Sequence, residues 1–325
     1  MRYLAGGVFM DDVVAFGRNE VISRKELLPF TRRTDQTGLV YLSVHLGTVA
    51  LTGWFVYLSF GTAWMIPAMF CHGITVTFLY GPLHETSHGT AFRSRWLNET
   101  VFWFCSLVYI STPLWYRYKH ANHHTYTQIK GKDTEMVLAS PATVWQYVLQ
   151  CTAINFWRRN LGALLRHAGG RILPSDAIFF PKDQLARNFL EARINLAIYA
   201  TIAIAALAAE TWAPLIYWFI PRVLGEPVMR SIRVVEHTGC AEGPDLRENT
   251  RTTKMNPIMK FLFWNMPYHA EHHICPAVPF HKLPAFHREI GNHLKQAPGV
   301  LAVHWHVLRN HLVRASKPTV QQTVP

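Results

Sequence analysis

A chain of 325 residues, half of them apolar, has ample material for a buried core, so size does not limit the fold. Only 16% of the residues are charged while 13% are aromatic and 18 are histidine, which excludes the profile of an ordinary soluble domain, where about a quarter are charged. The net charge of +12 is spread over three polar segments that avoid the apolar ones, which fits loops facing anionic lipid and argues against a nucleic-acid-binding face.

In chain order, the apolar run Tyr3–Met10 is cut by Asp11 and Asp12 before it reaches the length of a signal-peptide core. Residues 1–36 read as a cytoplasmic segment carrying Arg18, Arg24, Lys25, Arg32 and Arg33. From Gln36 to His84 there is no Asp, Glu, Lys or Arg, a stretch more than twice the roughly 20 residues one span requires. It predicts spans at about 39–60 and 62–83, with Gly61 in the turn and Trp54 and Trp64 toward the far interface. The apolar patch Val101–Leu114 is too short to span and reads as a buried or interface-lying segment. A second long apolar region, Ile194 to Pro221, is broken by Glu210 and predicts spans at about 194–210 and 211–230. Arg222 must then snorkel to the interface, or its helix must lean on partners.

These spans give an all-α polytopic membrane protein of about four transmembrane helices in two hairpins, with residues 37–300 as the membrane domain and 301–325 as a tail, polar after Ser316. Basic residues crowd the three polar segments and are absent from the hairpin tips, so both termini and both large polar segments are expected in the cytoplasm, where they form a helical cap. Cys71, Cys105, Cys151, Cys240 and Cys275 are odd in number and widely spaced, and read as buried thiols outside any disulfide framework.

Three short clusters hold eight histidines: His84 and His88 in H-E-T-S-H, His120, His123 and His124 in H-A-N-H-H, and His269, His272 and His273 in H-A-E-H-H. Spacings of three and four residues bring side chains to one helix face, so each cluster can aim its imidazoles at a common centre. A single pair of this kind is weak, because lone histidines are more often hydrogen-bonded core residues. Eight buried imidazoles without metal would leave many donors and acceptors to satisfy. Eight ligands also exceed the capacity of one ion, which implies two metals, and the topology read from charge places all three clusters on the cytoplasmic side. Imidazole alone permits zinc, copper, nickel or iron.

H-E-T-S-H-G, H-A-N-H-H-T-Y-T-Q and P-Y-H-A-E-H-H-I-C-P-A-V-P-F-H-K-L-P resemble the three histidine boxes of the membrane fatty acid desaturase family, part of a superfamily of non-haem di-iron desaturases and hydroxylases. The resemblance covers roughly Val40 to His293, in the order hairpin, box, box, hairpin, box. It implies that the eight box histidines ligate two iron ions, and Glu236-His237-Thr238-Gly239 resembles the position of a further ligand, His237. Glu85, Glu236, Glu271 and Asp133 lie where carboxylates could orient ligand imidazoles, or could equally be solvated or capping acids. His45, His72, His167, His281, His287, His304, His306 and His311 read as structural, and no catalytic residue beyond the metal ligands is expected.

The implied activity is O₂-dependent introduction of a double bond into a fatty acyl or similar hydrophobic chain, held in a hydrophobic tunnel lined by the aromatic-rich spans. Electrons are expected from a separate ferredoxin, cytochrome b5 or reductase, since no ferredoxin spacing, haem signature or Rossmann glycine motif occurs. The basic face could steer such a donor, and the compact length resembles multi-pass members of bacterial inner membranes. A hydroxylase or ketolase of a lipid, carotenoid or specialised metabolite is the alternative on the same scaffold. A non-enzymatic metal transporter or haem carrier fits less well, because the histidines lie outside the spans and number more than axial ligation needs.

Overall fold

The computed structural model describes residues 21–135 and 143–315, with side chains given as far as residue 310. The apolar run at Tyr3–Met10, Arg18, the His311 side chain and the polar tail after Ser316 lie outside the described residues. What is described is mostly helical; its only strands are a parallel pair, Thr252–Thr253 with Gln296–Ala297.

The charge-free stretch forms α1 (Asp35–Leu58), then α2 (Met65–Thr77) and α3 (Tyr80–Ser87), which run on as one helix of span length. Three helices among the described residues are long and apolar enough to cross a membrane: Asp35–Leu58, Met65–Ser87 and Lys182–Ala208. In the first and third only 11% and 17% of the apolar window is buried, whereas in the second it is 67%, so Met65–Ser87 is the central strut. The outward faces of α1 carry Val40, Val44, Leu51, Trp54 and Phe55, an apolar coat that suits lipid. Cys71 is exposed on this central helix and Cys151 is half-buried, which corrects the expectation of five buried thiols; all five are free.

The loop that follows the strut is tied to α1 at close range. Asp35, in the first turn of α1, accepts from the Ser94 backbone N–H at 2.7 Å and its hydroxyl at 2.6 Å, and a Cβ on Gly38 would meet the Ala91 carbonyl at 2.6 Å. The Val101–Leu114 patch falls in α4 (Arg95–Tyr109) and the start of α5 (Pro113–Tyr126), with Val101, Phe102, Cys105, Tyr109 and Leu114 buried.

Two amphipathic helices follow, α6 (Val144–Cys151) and α7 (Ile154–Ala168). The next long helix, α8 (Leu185–Ala208), begins earlier than the apolar run that predicted it. Its charged first turns are admitted because each charge has a partner: Arg187 donates to Glu191 at 3.1 Å, and Arg193 donates to the Ala168 carbonyl at 2.9 Å. Glu191 also accepts from the Leu114 backbone N–H at 2.9 Å, satisfying an orphan donor at the start of α5.

The fourth expected span differs most. After a π-helical turn, Leu215–Phe219, α9 (Ile220–Val234) carries Arg222, Glu226, Arg230 and Arg233, so the segment is not among the helices apolar enough to span. Arg222 does not snorkel. It is fully buried, donates to Thr77 Oγ1 at 3.0 Å and to Glu226, and lies 4.4 Å from the Tyr109 ring centre. The helix leans on α2 instead: a Cβ on Gly225 would sit 2.2 Å from the Gly73 carbonyl and one on Gly73 2.1 Å from the Pro221 carbonyl, so only glycine permits this backbone contact.

Besides short helices at Arg24–Leu27, Pro174–Ala177 and Pro257–Leu262, the chain forms α10 (His269–Ile274), α11 (Leu283–Ile290) and α12 (Val300–Ala315). Before α10 the chain reverses through left-handed Trp264 and Asn265, at φ 51° and 57°, and a Cβ on Gly81 would be 3.2 Å from the buried Trp264 side chain. The segment expected as a tail begins with α12, whose Val303 and Val307 are buried against Tyr147 and Val235.

Candidate metal centre

The three boxes occupy three helices that meet. His84 lies near the end of α3 with His88 just past it, His120, His123 and His124 end α5, and the third box forms α10. His237 comes from the turn after α9. The nine histidines sort into two groups, each with its ligand nitrogens within 4.8 Å of one another: His84, His88, His120, His124 and His272, and separately His123, His237, His269 and His273.

The expectation that each cluster aims at a common centre holds for His84 and His88 and is corrected for the second and third boxes, whose histidines divide between the groups. At about 100° per residue, positions i and i+4 differ by about 40°, while i+3 points about 100° away from i+4. His120 and His124 therefore face the first group while His123 turns to the second, and in α10 the assignment reverses, with His269 and His273 in the second group and His272 in the first. α5 and α10 thus each bridge both groups, whereas His84 and His88 serve the first group alone.

The nitrogens crowd together, and His124 Nε2 and His269 Nε2 each face two others although an imidazole nitrogen offers only one proton or one lone pair. His124 Nε2 is 3.1 Å from His120 Nε2 and 3.2 Å from His272 Nε2; His269 Nε2 is 3.1 Å from both His237 Nε2 and His273 Nε2. In the second group His123 Nδ1 donates to Asp133 at 2.9 Å, His237 Nδ1 to the Asn249 carbonyl at 3.2 Å, and His273 Nδ1 to the Thr127 hydroxyl at 3.0 Å. Those bonds fix the tautomers and leave the Nε2 lone pairs turned toward one another, an arrangement a cation relieves. Metal–nitrogen bonds of about 2.0–2.1 Å put neighbouring ligand nitrogens about 3.0–3.4 Å apart, so the spacing fits a shared ion. In the first group both nitrogens of His84 and Nε2 of His88 are buried without a hydrogen-bond partner, as donors awaiting a metal would be. Burial pushes His120 down to about 4, against the pull of Glu135, and His237 down to about 3, which keeps both imidazoles neutral and available.

The carboxylates weighed from sequence all stand in structural contact. Glu85 Oε1 lies 3.6 Å from His84 Nδ1 and 3.7 Å from His272 Nδ1. Glu236 Oε2 lies 3.5 Å from His269 Nε2, and burial raises its carboxyl to about 7. Glu271 is fully buried and anchors α10 by accepting from His287 Nδ1 and the Thr252 hydroxyl. Burial works against charge on His123, but the adjoining Asp133 outweighs it and raises the imidazole.

Glu135, which sequence reasoning passed over, ties the site to its surroundings: it pairs with Lys119 at 3.2 Å, Arg233 at 3.1 Å and His120 Nδ1 at 3.4 Å. Thr127 and Asn249 were missed as well, and neither carries a local signal, since each acts on a histidine distant in sequence. Most other histidines have structural partners: His45 with the Thr75 carbonyl, His72 between Thr52 and the Tyr217 carbonyl, His304 between Tyr147 and the Ser231 carbonyl.

A cavity of about 230 Å³ adjoins the second group, lined by His123 and His237 and by residues of α6, α7 and α9. It is not the aromatic-lined tunnel expected from the spans, for Arg159, Arg230 and Arg233 line it together with Phe156 and Val234.

Helices long enough to cross a membrane and two buried histidine groups that could each hold a metal ion are the features that characterise the chain. A family model for fatty acid desaturase matches residues 73–306. The chain belongs to the fatty acid desaturase family. It is 25% identical over 246 residues to the sphingolipid delta(4)-desaturase DES1 of Drosophila melanogaster, covering 72% of this chain and 68% of that one. It is 24% identical over 279 residues to an sn-1 oleoyl-lipid 12-desaturase of Anabaena variabilis, covering 80% and 77%. An acyl-lipid (9-3)-desaturase of Physcomitrium patens is 23% identical over 231 residues, which span 62% of this chain and 42% of that longer protein.

Proposed function

We propose that this chain is a di-iron, O₂-dependent lipid desaturase, with His84, His88, His120, His124 and His272 holding one iron and His123, His237, His269 and His273 the other. The observation that carries the reading is the convergence of nine histidines into two groups of ligand-distance nitrogens within a fatty acid desaturase family chain. The relatives' names, sphingolipid and acyl-lipid desaturases, support a lipid substrate.

When bound, the two iron ions supply reduction of O₂ and oxidation of an unactivated C–H bond. The chain's residues do the positioning. Asp133, Asn249 and Thr127 hold three imidazoles in the tautomer that presents Nε2 to the metal. Glu85 and Glu236 place carboxylates beside the histidines, lowering the cost of burying dications. Phe263, Trp264, Phe280 and their neighbours close the core around α3 and α10, excluding bulk water from one side of the site.

In this reading α1, the α2–α3 helix, α8 and α9 form two membrane hairpins. α9 is tolerated as the fourth span because its charges are paired inside the bundle. The histidine face is cytoplasmic, and a separate ferredoxin, cytochrome b5 or reductase delivers electrons. The test is expression with a reductase and mass analysis of total lipids. The expected product is lighter than its precursor by two hydrogens and is lost in His237→Ala; a gain of oxygen would point to hydroxylation, and no change in any lipid pool would refute the reading.

A further inference from the structure

The cavity beside the second histidine group is unusual in what it leaves unpaired. Its acids are all committed. Asp133 accepts from His123 Nδ1 and from the backbone N–H groups of Gln128 and Glu135, each at 2.9 Å. Glu135 holds Lys119 and Arg233, and Glu236 lies 3.7 Å from Arg233 and 3.5 Å from His269. Two of the three lining arginines are likewise committed, Arg230 to Glu226 and Tyr109 and Arg233 to Glu135.

Arg159 differs. Among the described residues no carboxylate lies within ion-pairing distance of it, and its Nε is buried without an acceptor. Gln150 lines the same cavity with its Nε2 also buried and lacking an acceptor. Arg159, a permanent cation, and Gln150 thus line a space that is also lined by His123 and His237. The half-buried Arg159 guanidinium has no carboxylate partner among the described residues, and an anion that enters the cavity gains a charge-assisted contact with it.

We propose that this cavity binds the anionic head of an amphiphilic substrate, a carboxylate or phosphate held by Arg159 and Gln150, so that the carbon to be oxidised lies only a few bonds from that head. The proposal rests on the oxidative reading of the histidines and specifies which lipids that reading admits. At about 230 Å³ the cavity is below the roughly 300–1,000 Å³ of pockets that enclose drug-sized ligands, which suits a head and the first carbons behind it, with the rest of the chain leading away.

The full chain in neutral detergent, metal-loaded and again after chelator treatment, is titrated by calorimetry with octanoate, octyl phosphate, octanol and octyltrimethylammonium. Metal content is measured in parallel for every variant. Octanoate, octyl phosphate or both should bind at least about tenfold more tightly than octanol, the loss expected when one charge-assisted hydrogen bond is absent. The comparison of the two anions tells carboxylate from phosphate, and persistence of the preference after chelation shows that it does not come from direct ligation of metal. Arg159→Gln should abolish the preference while retaining metal, and Arg158→Gln, exposed on the same helix, should leave it unchanged. If Arg159→Gln does not fold, Arg159→Lys and Gln150→Leu carry the test, each lowering the preference severalfold. Equal binding of all four heads, or a preference that survives Arg159→Gln, would overturn the proposal. An untreated wild type that takes up no metal, with the anion preference intact, would instead sink the oxidative reading and leave the anion site standing.

Discussion

Asp133→Asn is the most informative single change, because it separates the two histidine groups without touching a histidine. The carboxylate accepts three hydrogen bonds at 2.9 Å, from His123 Nδ1 and two backbone N–H groups, and its charge keeps the His123 ring oriented. Asparagine preserves the shape but turns one acceptor oxygen into a donor, so a backbone N–H or the imidazole loses its partner. Loss of such a supporting contact costs about 10–100-fold in metal affinity, or about 1.4–2.7 kcal/mol. His123 belongs only to the four-histidine group, so the deficit should fall on one ion. Stepwise chelator titration followed by elemental analysis should show one of two metals released at 10–100-fold (roughly) lower chelator concentration, with the other unmoved. Coincident release of both, or release identical to wild type, would refute the division into two groups.

Gly225→Ala should separate α9 from α2, since its Cβ would lie 2.2 Å from the Gly73 carbonyl; a loss of about 3 kcal/mol is expected, and an unchanged melting temperature in detergent would contradict the packing. Glu191→Gln should weaken the start of α5 by about 1 kcal/mol, seen as faster amide exchange at Leu114 and its neighbours, and unaltered exchange there would dismiss the capping role. In metal-free protein, burial depresses seven imidazoles outside the spans: His88, His120, His124, His237, His269, His272 and His273. The unfolded chain binds their protons first, so stability present above about pH 6.5 is lost as pH falls toward the folded values, about 4 for His120 and about 3 for His237. Glu236, raised to about 7, and His123, raised by Asp133, act in the opposite sense but are two groups against seven. The melting temperature of the metal-free protein should therefore drop between pH 7 and 5; a flat or rising profile would count against the buried neutral cluster.

The histidine boxes were legible because helical spacing is local: His120 and His124, or His269 and His273, share a face by arithmetic alone. Their division between two groups was not, because it depends on how α5 and α10 are rotated against each other. Charge screening found the α1 and α2–α3 helices within a few residues, since nothing polar interrupts them. It misplaced the start of α8 and the character of α9, where Glu191 and Arg222 are buried through partners 77 and 145 residues away in sequence. Glu135, Thr127 and Asn249 escaped for the same reason, their meaning lying in long-range contacts that no local pattern announces.

The central claim, two metal ions held by nine histidines in groups of five and four, is tested most directly by counting metal in the purified full chain and in His273→Ala. The account predicts about two iron ions per wild-type chain and about one in the variant, which loses a ligand only from the four-histidine group. A wild-type chain with a single metal, or a variant that keeps both, would contradict it.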